Sequence, residues 1–305
     1  MVDITHKVTT LRTAKAQAIV HVSSAETIAA VVENRVPKGN VFEMAKVAGL
    51  FAVKNTHITI PDCHPLPVEY TAVEYEIDGL EIRIYITVKT VYKTGVEVEA
   101  MHGASVIALT MYDMLKPIDK GIVIREIGLV QKTGGKSSFK EKDPKEIQAA
   151  VVVCSDSISK GVKEDKAGKV IVDKLKTHGV NVTSYEVIPD ELELIRARTF
   201  ELTEKNQLVI FTGGTGLSQR DVTPEALEPI LERRIPGVEE AIRSYGQKIM
   251  PFAMLSRSVA GTIGDSIVLA LPGSTNGARE SMDAVFPHLL HVFRILKGAN
   301  HEPSE

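Results

Sequence analysis

The order of apolar and polar residues divides the chain into two parts with different rhythms. Between them, residues 137–146 are charged, polar and interrupted by Pro144, and an apolar run follows at once. Such a composition is typical of a short linker between domains. We therefore predict a first domain at residues 1–138, a linker at 139–147 and a second domain at 148–305.

The first domain mixes helical and strand periodicity. Apolar positions at helical spacing predict helices, and short apolar runs bounded by turn residues predict strands. The helices are predicted at 25–33, 40–54 and 97–116, and the strands at 18–22, 70–77, 80–91 and 122–130. Asp78 and Gly79 separate two of the strands as a hairpin turn would. This order of elements predicts an α+β fold of the ferredoxin-like kind.

The second domain alternates strands with helices. The strands are predicted at 149–154, 182–188, 208–212 and 266–271, and the helices at 166–176, 191–204, 224–233, 236–245 and 277–296. Pro287 should kink or break the last helix. Alternation of this kind predicts a three-layer α/β fold with a mostly parallel sheet.

Composition narrows the class of protein. The chain has 305 residues, of which 44% are hydrophobic and 25% are charged, as in ordinary globular domains. A net charge of -3 argues against a general role in nucleic-acid binding, and no apolar run is long enough to cross a membrane. Two cysteines, with no CxxC spacing, fit the reducing cytoplasm rather than a disulfide framework or a zinc site.

Polar loops follow four predicted strands of the second domain, at residues 155–157, 189–190, 213–216 and 272–274. Parallel strands bring their carboxyl ends to one edge of the sheet, where open α/β sheets bind ligands. Glycines let backbone N–H groups approach a phosphate closely. The pattern indicates a nucleotide-phosphate site, and the alternative is four ordinary connecting turns.

The segment after the glycines adds two expectations. Asp221 would repel a phosphate unless a cation bridges them, and a magnesium-bound nucleotide would supply that cation. Thr223 is predicted to cap a helix that begins at Pro224. The alternative interpretation is a glycine-rich turn followed by a helix cap.

Three polar clusters of the first domain are candidates for chemistry. Cys63 and His64 lie in a proline-framed loop, Lys93 precedes a glycine turn at the start of a long helix, and Asp113 and Lys116 lie three residues apart on that helix. They could bind phosphate or transfer protons. Each also has an ordinary alternative: an exposed histidine, a helix cap and a surface ion pair.

Helix geometry limits how these clusters can cooperate. Glu99 and Asp113 are 14 positions apart on one predicted helix, which corresponds to roughly 21 Å along its axis. They cannot both contact one small substrate from one subunit. If both are functional, the site combines helices from two subunits.

Five motifs in the first domain resemble those of a known family. They are Lys38-Gly39-Asn40-Val41-Phe42, Cys63-His64-Pro65-Leu66, Lys93-Thr94-Gly95-Val96-Glu97-Val98-Glu99, Tyr112-Asp113-Met114 and Gly134-Gly135-Lys136-Ser137. In this order and spacing they make residues 1–138 resemble cyclic pyranopterin monophosphate synthase, the MoaC family of molybdenum-cofactor biosynthesis. Asp62 departs from the pattern, because a neutral residue is expected before Cys-His.

The MoaC resemblance implies a lyase that converts a cyclised dihydroguanosine triphosphate to a cyclic phosphate and releases pyrophosphate. It also implies a ferredoxin-like fold in a hexamer built from dimers, with sites between subunits. Asp113 matches the family's acid–base position, and Lys38 and Lys116 match its catalytic lysines. The residues expected to bind the substrate are Cys63, His64, Lys93, Val98, Glu99 and Lys136.

The second domain resembles the molybdopterin adenylyltransferase family, which includes MogA, MoaB and the gephyrin G domain. The matching motifs are Ser155-Asp156, Ile188-Pro189-Asp190, Thr212-Gly213-Gly214-Thr215-Gly216, Arg220-Asp221-Val222-Thr223-Pro224 and Leu271-Pro272-Gly273-Ser274. Two positions depart from the family: Thr275 stands where many members have proline, and Ala167 where serine is common.

The second resemblance implies that the terminal phosphate of molybdopterin attacks the α-phosphate of ATP and releases pyrophosphate. Asp190 and Asp221 match the family's two essential carboxylates and are expected to bind Mg²⁺ and act in catalysis. The residues expected to bind the substrates are Ser155, Asp156, Gly213, Gly214, Thr215, Gly216, Gly273 and Ser274.

Together the two resemblances predict a bifunctional enzyme of molybdenum-cofactor biosynthesis. Its expected partners are a pterin triphosphate precursor, molybdopterin and ATP, and neither nucleic acid nor a membrane is expected. The protein is expected to be cytoplasmic and to form a homo-oligomer, a hexamer or a trimer of dimers. Two alternatives remain for the second domain, a molybdopterin-binding scaffold module and a nucleotide pyrophosphatase. Asp190 and Asp221 argue against the scaffold, which needs neither carboxylate.

Overall fold

The structure, a computed structural model, describes residues 1–135 and 147–296. The chain divides into two compact units, residues 1–140 and 141–305. Lys136 and most of the predicted linker lie outside the described residues. Ile147, the last residue of that linker, is buried in the core of the second unit.

The first unit contains four strands and four helices among its described residues. The strands are β1 (Thr10–His21), β2 (Tyr70–Asp78), β3 (Glu81–Tyr92) and β4 (Val123–Thr133). The helices are α1 (Ala25–Val32), α2 (Val41–Lys54), α3 (Thr56–Thr59) and α4 (Glu97–Leu115). The strands pair in the order β2-β3-β1-β4, and each pairing is antiparallel.

One face of this sheet is covered by helix α4. Alternate residues of β3, from Ile82 to Val88, are fully buried and pack with the apolar side of α4. A Cβ atom on Gly103 of α4 would lie 2.6 Å from Val53 of α2 and 2.7 Å from Ile86 of β3. Helix α4 is therefore held tightly between α2 and the sheet.

The arrangement is antiparallel with helices on the buried face, which is consistent with the predicted ferredoxin-like fold. The first strand is longer than predicted, because it begins at Thr10 rather than at residue 18. The hairpin between β2 and β3 is confirmed, and Gly79 has a φ of +59° there.

The second unit contains six strands and seven α-helices among its described residues. The strands are β5 (Gln148–Cys154), β6 (Asn181–Ile188), β7 (Leu208–Thr212), β8 (Arg233–Arg234), β9 (Val259–Ile263) and β10 (Ser266–Leu271). The helices are α5 (Asp156–Ser159), α6 (Ala167–Thr177), α7 (Leu192–Thr203), α8 (Thr223–Leu227), α9 (Pro236–Gln247), α10 (Thr275–Val285) and α11 (Val292–Leu296).

The sheet of the second unit has the order β6-β5-β7-β10-β9-β8. The first four strands are parallel, whereas β9 and β8 pair in antiparallel fashion at one edge. Helices α6, α9 and α10 pack on one face, and α7 and α8 pack on the other. The prediction of an α/β domain with a mostly parallel sheet is confirmed.

Two local expectations for the second unit are wrong, and one is confirmed. The helix predicted at 224–233 ends at Leu227. The last helix is broken at Pro287 as predicted, because α10 ends at Val285 and α11 begins at Val292. Thr223 is the first residue of α8 rather than its cap, and its hydroxyl donates a 2.9 Å hydrogen bond to the carbonyl oxygen of Gly213. Thr223 thus fixes the glycine loop instead of the helix end.

Candidate functional sites

The end of helix α4 carries a three-residue cluster in the first unit. The Asp113 carboxylate accepts a 2.6 Å bond from Lys38 Nζ at Oδ2 and forms a 2.7 Å ion pair with Lys116 Nζ at Oδ1. Lys38 comes from the loop before α2 and also donates to the backbone carbonyl of Asp113 at 2.8 Å. All three predicted catalytic residues of the first unit are therefore brought together.

These contacts determine the charge of the cluster. Hydrogen bonds from Lys116 and then Lys38 lower the pKa of Asp113 to about 2. The same hydrogen bond to Asp113 raises the pKa of Lys116 above its ordinary value. At neutral pH the cluster is a carboxylate between ammonium groups, and all three side chains remain open to solvent.

A second cluster lies at the opposite end of α4. The thiol of Cys63 donates a 3.1 Å hydrogen bond to Glu99 Oε1, and Glu99 is only 3% exposed. Burial raises the pKa of Glu99, and burial followed by the Glu99 contact raises the pKa of Cys63 to about 12. Val98 is half-buried next to Glu99. The contact and the raised pKa both favour the protonated thiol of Cys63.

Two predicted substrate-binding residues contact the amino-terminal segment. Nε2 of His64 lies 2.8 Å from the carbonyl oxygen of Val2, and Lys93 Nζ donates a 3.0 Å hydrogen bond to the carbonyl oxygen of Thr5. Arg12, which the sequence did not single out, donates from Nη2 to the carbonyl oxygen of Lys93 at 3.4 Å. These residues belong to the Glu99 end of α4, roughly 21 Å from Asp113 along the helix axis.

A cavity of about 200 Å³ opens at the carboxyl ends of the parallel strands in the second unit. Its lining includes Cys154 at the end of β5 and Ser155 after it, Asp190 after β6, Gly213 and Gly214 after β7, and Gly273 after β10, together with Asp221. The chain passes from β5 outward to β6 and then returns to β7 on the other side of β5. The cavity thus lies where the strand order reverses, the usual ligand position in open α/β sheets.

Two glycines of the β7 loop leave no space for side chains. Gly213 has a φ of +101°, and a Cβ atom there would lie 2.2 Å from the carbonyl oxygen of Cys154. Gly214 has a φ of +62°, and a Cβ atom there would lie 2.3 Å from Thr223 Oγ1 and 2.9 Å from Asp190 Oδ1. The backbone is consequently bare where the loop faces Asp190.

Asp190 presents one oxygen to a partner that the chain does not supply. Its Oδ2 accepts a 3.0 Å hydrogen bond from the backbone N–H of Asp156, whereas its buried Oδ1 has no hydrogen-bond partner among the described residues. Burial raises the pKa of Asp190, and the negative charges of Asp156 and Asp221 act in the same direction. A cation next to Oδ1 would offset this repulsion.

Asp221 is the second carboxylate of the cavity. Its Oδ2 accepts a 2.9 Å hydrogen bond from the backbone N–H of Ser218. Arg257, another residue that the sequence did not single out, donates to the carbonyl oxygens of Gly216 and Asp221 at 2.8 and 2.7 Å. The guanidinium group thus supports the loop from outside and leaves the Asp221 carboxylate to the cavity.

The carboxylates fit a hydrated divalent cation better than a closed metal site. Within residues 1–135 and 147–296, no three side chains of His, Cys, Asp or Glu are grouped as a metal site would require. Mg²⁺ commonly takes one or two carboxylates and completes its coordination with water and substrate phosphates. The orphaned Oδ1 of Asp190, close to Asp221, matches that donor set.

The remaining predicted residues of this unit have structural contacts. Ser155 caps α5 and Ser274 caps α10, each by accepting a hydrogen bond from a helix N–H group. Thr215 is buried, and its carbonyl oxygen accepts from the N–H of Arg257 at 3.1 Å. The Asp156 carboxylate forms a bidentate pair with Arg220. The sequence predicted the position of these residues at the sheet edge but not the Arg220 contact.

Both units match known families. Residues 1–135 match the MoaC family, and residues 150–291 match the family described as probable molybdopterin binding domain. The whole chain is similar to the molybdenum cofactor biosynthesis bifunctional protein of Chlorobaculum tepidum, with 41% identity over 302 residues, 99% of this chain and 96% of that protein. The chain belongs to the family of bifunctional molybdenum cofactor biosynthesis proteins.

Each unit of this bifunctional family member also has separate relatives. The first is similar to the cyclic pyranopterin monophosphate synthase of Clostridium perfringens, with 49% identity over 139 residues, 45% of this chain and 87% of that protein. The second is similar to the crystal structure of the molybdopterin biosynthesis enzyme MoaB from Thermus thermophilus, with 36% identity and a TM-score of 0.48. The match covers 51% of this chain and 99% of that chain.

Membership confirms both resemblances read from the sequence, a MoaC unit followed by a unit of the MogA and MoaB kind. The chain is an enzyme of molybdenum cofactor biosynthesis. In the described part of the chain, no helix has both the length and the apolar character needed to cross a membrane.

Proposed function

We propose that the MoaC unit converts a cyclised dihydroguanosine triphosphate to cyclic pyranopterin monophosphate and pyrophosphate, and that the second unit transfers the adenylyl group of ATP to molybdopterin. The first proposal depends mainly on the Asp113 cluster, and the second on the orphaned carboxylate oxygen of Asp190. The substrates are those implied by the family resemblances.

In the first unit, Asp113 is the group proposed to exchange a proton. Its carboxylate is ionised at neutral pH, and the two ammonium groups that hold its oxygens lower its pKa to about 2, so it is a weak base as long as both lysines bind it. Lys38 and Lys116 supply positive charge where a triphosphate would lie, and either can donate a proton to a leaving oxygen. A carboxylate between two lysines therefore provides an acceptor and a donor within one cluster.

We infer that a complete first site includes a second subunit. The Asp113 and Glu99 clusters are at opposite ends of α4, too far apart for one small substrate. Met44, Val47 and Phe51 form an apolar stripe along α2, with exposures of 53%, 47% and 65%. Such a stripe is suited to a subunit interface. The proposed assembly is a homo-oligomer, a hexamer or a trimer of dimers.

In the second unit, the chain's own groups are suited to hold a nucleotide phosphate. The bare backbone at Gly213 and Gly214 permits close approach of phosphate oxygens, and Asp190 and Asp221 would hold Mg²⁺. Bound Mg²⁺ would orient the phosphates and offset their charge. In the transfer, a phosphate oxygen of molybdopterin bonds to the α-phosphorus of ATP while the bond to the bridging oxygen breaks, and pyrophosphate leaves.

A single assay separates this proposal from the two alternatives. Purified chain is incubated with ATP and Mg²⁺, with and without molybdopterin, and pyrophosphate release is measured. Adenylyl transfer predicts release only when molybdopterin is present. A nucleotide pyrophosphatase would release pyrophosphate from ATP without molybdopterin, and a scaffold module would bind molybdopterin with no release. Asp221→Asn in the same assay tests whether any release comes from this cavity.

A further inference from the structure

Three loops of the second unit meet at the side chain of Asp156. Asp156 Oδ1 accepts a 3.3 Å hydrogen bond from the backbone N–H of Asp190, and the backbone N–H of Asp156 donates to Asp190 Oδ2 at 3.0 Å. The loops after β5 and β6 are therefore joined by a reciprocal pair of hydrogen bonds. This pair uses Oδ2 of Asp190 and leaves only Oδ1 for another partner.

Arg220 brings the third loop to the same point. Its Nε lies 2.9 Å from Asp156 Oδ2, and its Nη2 lies 2.9 and 2.7 Å from the two carboxylate oxygens. A planar guanidinium that binds both oxygens of a carboxylate fixes orientation as well as distance. Because Arg220 directly precedes Asp221, this fork ties the Asp221 loop to Asp156, which in turn is hydrogen-bonded to Asp190.

The pair lies beside the cavity and touches neither free carboxylate oxygen. Arg220 is well exposed, with 63% of its side chain accessible, and Asp156 is 31% accessible. Ser218 holds Asp221 at Oδ2, so the Asp221 carboxylate keeps its second oxygen for the cavity. One ion pair thus links the segments that carry two side chains with no direct hydrogen bond to each other among those found in residues 147–296.

We propose that the Asp156–Arg220 pair consists of positioning residues, which fix the spacing of Asp190 and Asp221 for one divalent cation. The inference rests on the proposed function only in taking these two carboxylates as the cation ligands. Outer partners that orient metal ligands typically contribute 10–100-fold in metal affinity. Asp156 accordingly acts through Asp190 rather than by contacting the nucleotide.

The change in cation affinity expected from lost positioning is opposite in sign to the change expected from charge alone. Arg220→Met removes a positive charge near the cavity, so a through-space effect alone would strengthen binding of a cation. Loss of positioning would instead weaken it. Arg220→Lys keeps the charge but cannot form the two-point fork, so it should give an intermediate affinity.

The test measures Mn²⁺ binding to the full chain without nucleotide, by electron paramagnetic resonance of the free ion. The component lost in Asp190→Asn defines the cavity site. We expect Arg220→Met and Asp156→Ala to weaken that component by about 10–100-fold. Glu186→Ala is the matched control, because Glu186 forms a bidentate pair with Arg198 elsewhere in this unit. It should leave the component within about twofold of the wild type, as expected for an independent site.

The outcomes separate this inference from the proposed function. Unchanged or tighter Mn²⁺ binding in Arg220→Met, in a variant with an unaltered melting temperature, would overturn the positioning role. The positioning role would also be overturned if the wild type bound no more Mn²⁺ than Asp190→Asn, because no Asp190-dependent component would then exist. If the pair controls Mn²⁺ affinity as expected but the chain releases no pyrophosphate from ATP with molybdopterin, the adenylyl-transfer proposal fails and the positioning role stands.

Discussion

The close approach of Gly213 to the β5 loop gives a prediction that can be measured as stability. In Gly213→Ala, the new methyl group would lie 2.2 Å from the carbonyl oxygen of Cys154 and 3.2 Å from its carbon. The backbone cannot easily move away, because Gly213 N–H donates to the carbonyl oxygen of Leu271 at 3.1 Å. Gly179→Ala is the matched control, since Gly179 has a similar φ of +75° but no atom within 4 Å of the added methyl.

The two variants share one energetic cost and differ in another. A non-glycine residue in the left-handed region costs about 1–2 kcal/mol. Overpacking against fixed neighbours adds about 1–3 kcal/mol. We therefore expect the free energy of unfolding of the second unit to fall by about 1–2 kcal/mol in Gly179→Ala and about 2–5 kcal/mol in Gly213→Ala. At about 2–4 °C per kcal/mol, the melting temperature should fall by about 2–8 °C and 4–20 °C.

Calorimetry of the full chain is the assay. Both glycines belong to the second unit, so the transition that moves in both variants identifies that unit. Because Gly213 lines the cavity and Gly179 does not, only Gly213→Ala should also reduce molybdopterin-dependent pyrophosphate release. If Gly213→Ala had the same melting temperature as Gly179→Ala and kept full activity, the tight contact with Cys154 would be refuted.

Charged residues of the two sites carry three further predictions. Asp113→Asn should lower the lyase rate by about 10²–10⁴-fold and leave the rate of the second reaction within about threefold of the wild type. Asp221→Asn should do the reverse. Loss of both activities in one folded variant would contradict separate sites. Lys116→Met should raise the pKa of Asp113 from about 2, so that the carboxylate protonates at higher pH in an NMR titration, because Lys116 is the largest cause of the lowered value. Pyrophosphate should inhibit the lyase competitively and more weakly at high salt, since salt screens its attraction to the lysines; no inhibition at millimolar pyrophosphate would count against the lysine cluster.

The sequence predicted best where hydrophobic periodicity is strong. Strands β7 and β10 were predicted with their observed bounds, because each contains an uninterrupted apolar run, at 208–211 and 267–271, with a single polar residue at one end. The start of β1 was missed. Its buried positions are the small residues Ala14, Ala16 and Ala18, whose hydrophobic signal is weak beside the intervening Lys15 and Gln17.

The antiparallel strands β8 and β9 and the long-range contacts were the parts that could not be predicted. Strand β8 has only two residues, and β9 has a glycine at its centre, so neither has a clear strand pattern. The loops around the cavity were correctly placed at one sheet edge by the rule for parallel strands. By contrast, the Arg220 contact with Asp156 spans 64 positions, and no local pattern specifies which exposed arginine meets which carboxylate.

The length of helix α4 has a genetic consequence. Its 19 residues keep the Asp113 and Glu99 clusters apart in each chain, so under the proposed two-subunit site every lyase centre draws one cluster from each neighbour. Two inactive alleles, one altered at Asp113 and the other at Glu99, could then complement each other. A mixed assembly would contain interfaces at which both contributed clusters are intact, and co-expression would restore part of the activity that each allele alone has lost.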